Sequence, residues 1–280
     1  MGFAILSGVL DWREEVEKGQ TRSEAAEILP SHFIATVHRP QSAKALEKKL
    51  RDAGHEGVEV LLQNNVDAAR RGNYVILSCK PQMVNDILGE EGMVDALKDK
   101  VLISICAGVT VDKMKNLVDG STRVVRAMPN TPCRIREGMT VLSPPGKDSS
   151  EHEQNVLQAI FAAVGRCHFL PEKHFDAVTA LAGSGPAFYT LFLEAMADGG
   201  VMMGLPRPEA LELAAQTMQG AARMVLQTGM HPAALKDSVT TPGGCTIAGL
   251  LQLEDGKVRS TVARTVQAAT EHASGLGGPR

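Results

Sequence analysis

The chain has 280 residues, 44% of them hydrophobic and 22% charged, which is the balance of an ordinary globular protein with length for one or two domains. A formal net charge of −3 gives no basic footprint for nucleic acid or an anionic membrane surface, so neither is expected as a partner. Seven Phe, two Tyr and one Trp leave little for base stacking or a carbohydrate platform. The longest uncharged stretch, Ala177 to Leu193, is broken by Gly183, Ser184, Gly185 and Pro186 and is too short to cross a bilayer.

Cys79, Cys106, Cys133, Cys167 and Cys245 form an odd, scattered set with no CxxC spacing. That argues against a disulfide framework or a structural zinc, and the histidines carry no metal-ligand spacing either. With no secretory signal in the opening residues, a reducing, cytoplasmic setting is expected.

In chain order, Met1 to Leu10 reads as a helix, and the charged stretch from Asp11 to Pro30 as an extended connection. Strands are expected at His32–Val37, Gly57–Leu62, Tyr74–Ser78, Val101–Ile105 and Arg123–Ala127. Helices fall between them at Ser42–Ala53, Asn65–Arg71, Met83–Leu97 and Thr110–Val118. Strands alternating with helix-length connections imply a parallel sheet with right-handed crossovers. A sixth strand is expected at Met139–Leu142, then an amphipathic helix over Ser150–Val164. After Gly165 the reading is helical throughout: His174–Leu205, Arg207–Gly229, His231–Val239 and Thr246–Ala273, the last interrupted at Asp255-Gly256. The boundary is therefore placed so that residues 1–165 bind a dinucleotide and 166–280 form an all-helical domain. Small residues and Met along Leu193 to Gly204 suit a helical dimer interface, though a monomeric bundle core uses the same pattern. The tail from Ser274 to Arg280 is expected to fray.

In an open parallel sheet, ligands bind at the carboxyl ends of the strands. Here those ends carry Ser78-Cys79-Lys80-Pro81, Cys106-Ala107-Gly108-Val109 and Met128-Pro129-Asn130-Thr131-Pro132. Small residues let a flat cofactor approach the backbone, and Lys80 offers a cation, although a lysine there serves equally as a solvated charge. Thr36, His38, Arg39, Ser42 and Lys44 follow the first visible strand. A basic, hydroxyl-bearing set without Asp or Glu favours a ribose 2′-phosphate, and hence NADP over NAD; a polar helix start accounts for it equally. A dinucleotide fold opens with a strand and a G-x-G-x-x-G turn, whereas this sequence opens inside the helix that would follow them. Farther on, Thr241-Pro242-Gly243-Gly244-Cys245-Thr246 makes a tight turn into a helix whose free N–H groups suit a carboxylate or phosphate.

These motifs, with Ala4-Ile5-Leu6-Ser7-Gly8, Leu181 to Ala187, Ala197 to Val201 and His231-Pro232, resemble the pyrroline-5-carboxylate reductase family nearly end to end. Each fragment is weak alone; their order and spacing are specific. The resemblance implies a Rossmann-type parallel sheet lacking its first strand and most of its glycine loop, followed by an all-α dimerisation domain. It implies reduction of L-1-pyrroline-5-carboxylate, a cyclic imine, to L-proline, with NADPH as hydride donor and NADH as second candidate. Members are homodimers or assemblies of dimers, with each active site shared between subunits. Carried over, Gly2, Arg39, Asn65, Ser78, Cys79, Lys80, Pro81, Cys106, Ala107 and Gly108 would contact the dinucleotide. Thr179, Ser184, Gly244, Cys245 and Thr246 would line the substrate pocket, with Thr246 as the catalytic candidate. Some members hold substrate with a Glu just before the His-Pro pair; here the run is Thr228-Gly229-Met230-His231, and no carboxylate is assigned.

Absence of a central strand should expose apolar surface on its neighbours and weaken the pyrophosphate cradle. A reading frame opening at an internal Met is the simplest account of such a start. Two other readings remain: a related NADP-linked reductase of another imine or carbonyl, and a non-catalytic dimeric remnant with impaired cofactor binding.

Overall fold

The computed structural model describes residues 1–19, 28–55, 57–146 and 149–275. The chain divides into two compact units, Met1–Gly183 with the end of the chain from Thr270, and Ser184–Ala269. The boundary expected after residue 165 falls at the start of a strand, and the contact division comes at Gly183 instead.

The first unit opens with α1 (Gly2–Glu17), which takes in Asp11 to Glu17 of the segment expected to be a connection. Residues 20–27, the middle of that segment, lie outside the described residues, as do the last residues of the tail. Then follow β1 (Phe33–Val37), α2 (Pro40–Asp52), β2 (Val58–Leu62), α3 (Asn65–Arg71) and β3 (Tyr74–Leu77). The helix expected over Met83–Leu97 is broken: a 3₁₀ turn at Pro81–Met83 leads into α4 (Val84–Leu88), and α5 (Met93–Ala96) restarts after Gly92, whose φ of 83° no continuous helix tolerates. Next come β4 (Val101–Ser104), α6 (Val111–Lys115), β5 (Arg123–Met128), β6 (Gly138–Leu142), α7 (Glu151–Ala162) and β7 (Gly165–Phe169). Thr110 caps α6, and Ser150 with Glu153 forms a reciprocal capping box on α7, each cap contributing about 1 kcal/mol.

The sheet is in two pieces. β1 pairs with β2, and β3 to β7 form a separate five-stranded sheet in chain order. β1 to β5 run parallel within their pieces, but β6 runs antiparallel to β5 before β7 joins it in parallel. The five strands expected to be parallel are so, and β6 is the antiparallel one; the expectation that residues after Gly165 are wholly helical needs correcting. β7, Gly165-Arg166-Cys167-His168-Phe169, is a short edge strand with Arg166 and His168 facing outward and Cys167 and Phe169 inward. Gly165, at φ 142°, meets Gly138 of β6 so closely that a β-carbon would lie 2.0 Å from the Gly138 carbonyl oxygen.

No backbone pairing joins β1 to β3 among the described residues, so each keeps a free edge. Phe33 of β1 and Tyr74 and Ile76 of β3 nevertheless pack against the same core as Ile5 and Val9 of α1. That core continues through Ile103, Val125, Ala127 and Leu142 to Leu157, Ile160 and Phe161 of α7. Alternate residues Leu102 and Val124 point to the opposite face, against Val84, Leu88, Met93, Leu97 and Met114 of α4 to α6. β4 is buried on both faces, as its unbroken apolar run requires. Arg126, nearly buried in β5, pairs with Glu172 at 3.1 Å and lies 4.8 Å from the centre of the Phe175 ring.

A 3₁₀ turn (Glu172–His174), α8 (Phe175–Val178) and a π-helical turn (Thr179–Gly183) complete this unit's main span. The second unit is helical: α9 (Gly185–Met202), α10 (Arg207–Thr228), α11 (Pro232–Ser238), α12 (Cys245–Asp255) and α13 (Val258–Ser274), whose last turn belongs to the first unit. α9 and α10 pack as a hairpin, with Gly200 lying close to Ala210 and Leu205.

Candidate cofactor and substrate sites

The parallel strands direct their carboxyl ends to one edge of the first unit. Beyond β3 lie Ser78, Cys79, Lys80 and Pro81; beyond β4 lie Ile105, Cys106, Ala107 and Gly108. Register pairs Leu77 with Ser104, so the two segments leave the sheet side by side. Gly108 turns away at φ 74°, a left-handed conformation natural to glycine. Ser78, Lys80, Pro81 and Ala107 are exposed, whereas Cys106 is 3% exposed.

The start of α1 meets the same edge. A β-carbon on Gly2 would come within 2.6 Å of the Ser78 hydroxyl oxygen and 2.9 Å of its β-carbon, so only glycine allows this approach. No side chain caps α1 and no acidic residue sits in its first turn. Its first N–H groups are available to an anion, and the helix dipole favours one. Arg39 stands exposed as the N-cap of α2, just beyond β1.

Asn65 is occupied on both sides of its carboxamide. Its oxygen accepts from the Thr36 hydroxyl at 2.8 Å, and its nitrogen donates to Glu90 at 2.7 Å. It therefore ties β1 and α3 to the turn between α4 and α5, and sequence reasoning had no signal for Glu90. Asn130 behaves similarly, donating to the Ala182 carbonyl at 3.1 Å and accepting from the Met139 N–H at 2.9 Å. It fixes the π-helical turn, a distortion that often marks functional positions.

Cys79 and Cys106 face one another, sulfur to sulfur, at 3.9 Å. The Cys106 thiol also reaches the carbonyls of Cys79 at 3.3 Å and Leu77 at 3.5 Å. The neighbouring Cys79 S–H brings Cys106 down to about 7; burial opposes this and Ser104 assists. Cys79 moves upward, because its proton is held against Cys106 and because it is partly buried.

In the first unit Thr179 donates its hydroxyl to the Phe175 carbonyl at 2.7 Å, leaving its lone pairs for a ligand. In the second unit Gly243, at φ 68°, turns the chain into α12, and Gly244 is its N-cap without a side-chain cap. A β-carbon on Gly244 would lie 2.4 Å from the Thr241 hydroxyl oxygen. The turn thus brings Gly244, Cys245 and Thr246 together at an open helix start, with Ser184 half-buried at the entry to α9. Among the described residues, neither the Thr246 nor the Ser184 hydroxyl has a partner within the chain.

A sheet of parallel crossovers with an uncapped helix start at its strand ends, followed by a helical unit, defines a Rossmann-type dinucleotide-binding protein. The family model for pyrroline-5-carboxylate reductase dimerisation matches residues 172–276, and that for NADP oxidoreductase, coenzyme F420-dependent, matches residues 1–108. The chain is 48% identical to a pyrroline-5-carboxylate reductase of Schizosaccharomyces pombe over 279 residues, covering 99% of this chain and 96% of the relative. Among solved structures, a pyrroline-5-carboxylate reductase of Coxiella burnetii is 30% identical, with a TM-score of 0.79 over 88% of each chain. A Plasmodium falciparum pyrroline carboxylate reductase with NADP bound is 29% identical, with a TM-score of 0.74 over 89% of this chain and 100% of that one. The chain belongs to the pyrroline-5-carboxylate reductase family. The non-catalytic remnant is not favoured, since relatives bearing the reductase name align along almost the whole chain. No helix among the described residues is long and apolar enough to cross a membrane.

Proposed function

We propose that this chain reduces L-1-pyrroline-5-carboxylate to L-proline, the last step of proline biosynthesis, with NADPH preferred over NADH. The observation that carries the reading is the meeting of Gly2 with Ser78, where the uncapped start of α1 reaches the ends of β3 and β4. That cradle fits a dinucleotide pyrophosphate: small residues, free N–H groups and the Lys80 cation, with no acidic residue in the first turn of α1. Gly2, Ser78, Cys79, Lys80 and Pro81, with Cys106, Ala107 and Gly108, would hold the cofactor. Asn65 would support them, and Arg39 would meet the 2′-phosphate. When bound, the cofactor supplies a hydride to the imine carbon.

The chain's own part is binding, orientation and protonation. The N–H groups at Gly244 to Thr246 in the second unit suit the substrate carboxylate, and Ser184 in that unit and Thr179 in the first each offer a hydroxyl oxygen to a ligand. Reduction places an electron pair on the ring nitrogen, which must be protonated. The Thr246 hydroxyl would hydrogen-bond that nitrogen and orient or relay its proton, since an ordinary hydroxyl is too weak an acid to supply one alone.

Assembly as a homodimer, or a set of dimers, belongs to the same reading. Within the second unit Leu191, Met196, Met202, Met203 and Leu213 are exposed, an apolar surface of the kind that a second subunit covers. The five free thiols fit a reducing, cytoplasmic setting. The test is NADPH oxidation by the purified chain with pyrroline-5-carboxylate, with NADH in parallel and proline measured as product. Saturable turnover yielding proline supports the reading. Turnover only with another imine or carbonyl would transfer the chain to a related reductase activity.

A further inference from the structure

We propose that Cys79 and Cys106 are a reversible oxidation site, closing to a disulfide across the carboxyl ends of β3 and β4 when the protein meets a hydroperoxide. The proposal rests on backbone geometry first. Each cysteine lies two residues past the register pair Leu77 and Ser104, on neighbouring parallel strands. Adjacent strands stand about 4.8 Å apart, inside the roughly 4.4–6.8 Å span of Cα separations that a disulfide accepts. The sulfurs are already 3.9 Å apart, so rotation about the side-chain bonds supplies most of the remaining approach.

Chemistry and access agree with that geometry. Cys79 is partly exposed, which admits a small oxidant to the pair; the buried Cys106, favoured as thiolate by the Cys79 S–H, is the attacking sulfur and Cys79 the resolving one. Donation from the Cys79 S–H favours the thiolate form of Cys106 and brings its thiol down to about 7. The other cysteines offer no such arrangement. Burial pushes Cys167 up to about 12 and raises Cys133, and no other pair of sulfurs is in contact among the described residues.

The step balances as follows. One thiolate attacks a hydroperoxide oxygen, giving a sulfenic acid and hydroxide, or the corresponding alkoxide. The second thiol displaces the sulfenic hydroxyl as water, forming the S–S bond. Two electrons pass from the two sulfurs to the peroxide, and a dithiol reductant reverses the bond. Closure would draw the segments after β3 and β4 together where the proposed function places the dinucleotide. The functional consequence rests on that reading, whereas the cross-link does not.

The test uses the full chain, exposed to hydrogen peroxide, quenched with a maleimide and mapped by peptide mass. The expected result is a Cys79–Cys106 linked peptide pair, absent after dithiothreitol and absent in Cys79→Ser and in Cys106→Ala. Separate maleimide labels on both cysteines, or linkage of either to Cys245, would overturn the proposal. NADPH titration of the oxidised and reduced forms is the second readout, with affinity expected to fall about tenfold on oxidation, or roughly 1.4 kcal/mol. A linked pair that binds NADPH unchanged would leave the oxidation site standing and overturn the dinucleotide placement instead.

Discussion

The α-carbon of Gly2 and the side chain of Ser78 occupy ground that a single methyl group would contest: a β-carbon at position 2 would sit 2.6 Å from the serine hydroxyl oxygen. This contact seats the open end of α1 on the end of β3. It converts two segments far apart in the chain into one surface of N–H groups and small side chains. Gly8, whose β-carbon would meet Val164 at 2.4 Å, sets the same helix against the end of α7. α1 is therefore held at two glycine contacts, one near the proposed cofactor and one in the core.

Gly2→Ala should push α1 away from β3, costing about 1–3 kcal/mol by overpacking and raising the KM for NADPH. Removing the opposing side chain should restore the space. The double variant Gly2→Ala with Ser78→Gly is expected to regain part of the lost NADPH affinity, measured as a coupling in a double-mutant cycle. Simple additivity of the two single effects would show that the close approach does not shape the site.

Arg39→Ala should separate the two nicotinamide cofactors. The guanidinium stands exposed at the start of α2, and a 2′-phosphate is the group that it suits. The expected outcome is an increase of about tenfold in KM for NADPH, with little change for NADH. Steady-state kinetics with both cofactors decide it; equal losses for the two would remove Arg39 from phosphate recognition.

Much of this architecture is legible in the sequence because the apolar runs are unambiguous. Val101 to Ser104 is buried on both faces, as a short, mostly apolar run between helices leads one to expect. Asn65–Arg71 and the break at Asp255-Gly256 are equally plain, because local propensity and tertiary packing agree there. β7 is missed although Arg166, Cys167, His168 and Phe169 alternate polar and apolar with period two, because the run is short and lies where the helical reading begins. The antiparallel turn of β6 is set by the 3₁₀ segment at Thr131–Ile135 and by Arg136 at φ 60°, neither of which hydrophobic pattern records. At the site, the sequence identifies residue types at strand ends. It does not indicate that Asn65 is engaged by Thr36 and Glu90, because those partners meet only through the fold.

Arg126 illustrates the same gap between pattern and packing. A buried charge inside an apolar strand needs a partner, and the structure supplies the partly exposed Glu172 carboxylate and the Phe175 ring. Glu172 in turn accepts the Val111 N–H at 2.9 Å, so the pair joins β5, α6 and the entry to α8. Arg126→Ala leaves Glu172 without its cation and opens a cavity over Phe175. A loss of about 3 kcal/mol is expected, equivalent to roughly 6–12 °C in Tm for a chain of this size. Thermal unfolding checks it, and a shift within error would mean that Glu172 is satisfied by solvent.

Thr246→Ala should do the reverse, sparing stability and damaging the reaction. Thr246 is half-buried in the first turn of α12, with no partner for its hydroxyl among the described residues. Gly244 rather than Thr246 occupies the N-cap, so the substitution removes no cap. A fall of about 10²-fold in kcat/KM for the imine, with Tm unchanged, is the expected signature of a group orienting the ring nitrogen. Thr246→Ser should retain most of the activity. Normal kinetics in the alanine variant would take Thr246 out of the mechanism.

The Cys79–Cys106 pair should also show itself through pH. The Cys79 S–H holds Cys106 down to about 7, whereas an isolated thiol titrates near 8.5. The nucleophile is the thiolate, so the rate at which a disulfide reagent modifies the pair should rise as pH increases through about 7 and then level off. Cys79→Ser keeps a donor, and a stronger one than a thiol, so that midpoint should stay in place or fall. Cys79→Ala removes the donor and should move it upward, because burial, which raises the thiol, is then less opposed. Stopped-flow thiol modification across this range measures all three midpoints. A midpoint that stays in place when Cys79 becomes alanine would show that the second sulfur does not stabilise the first.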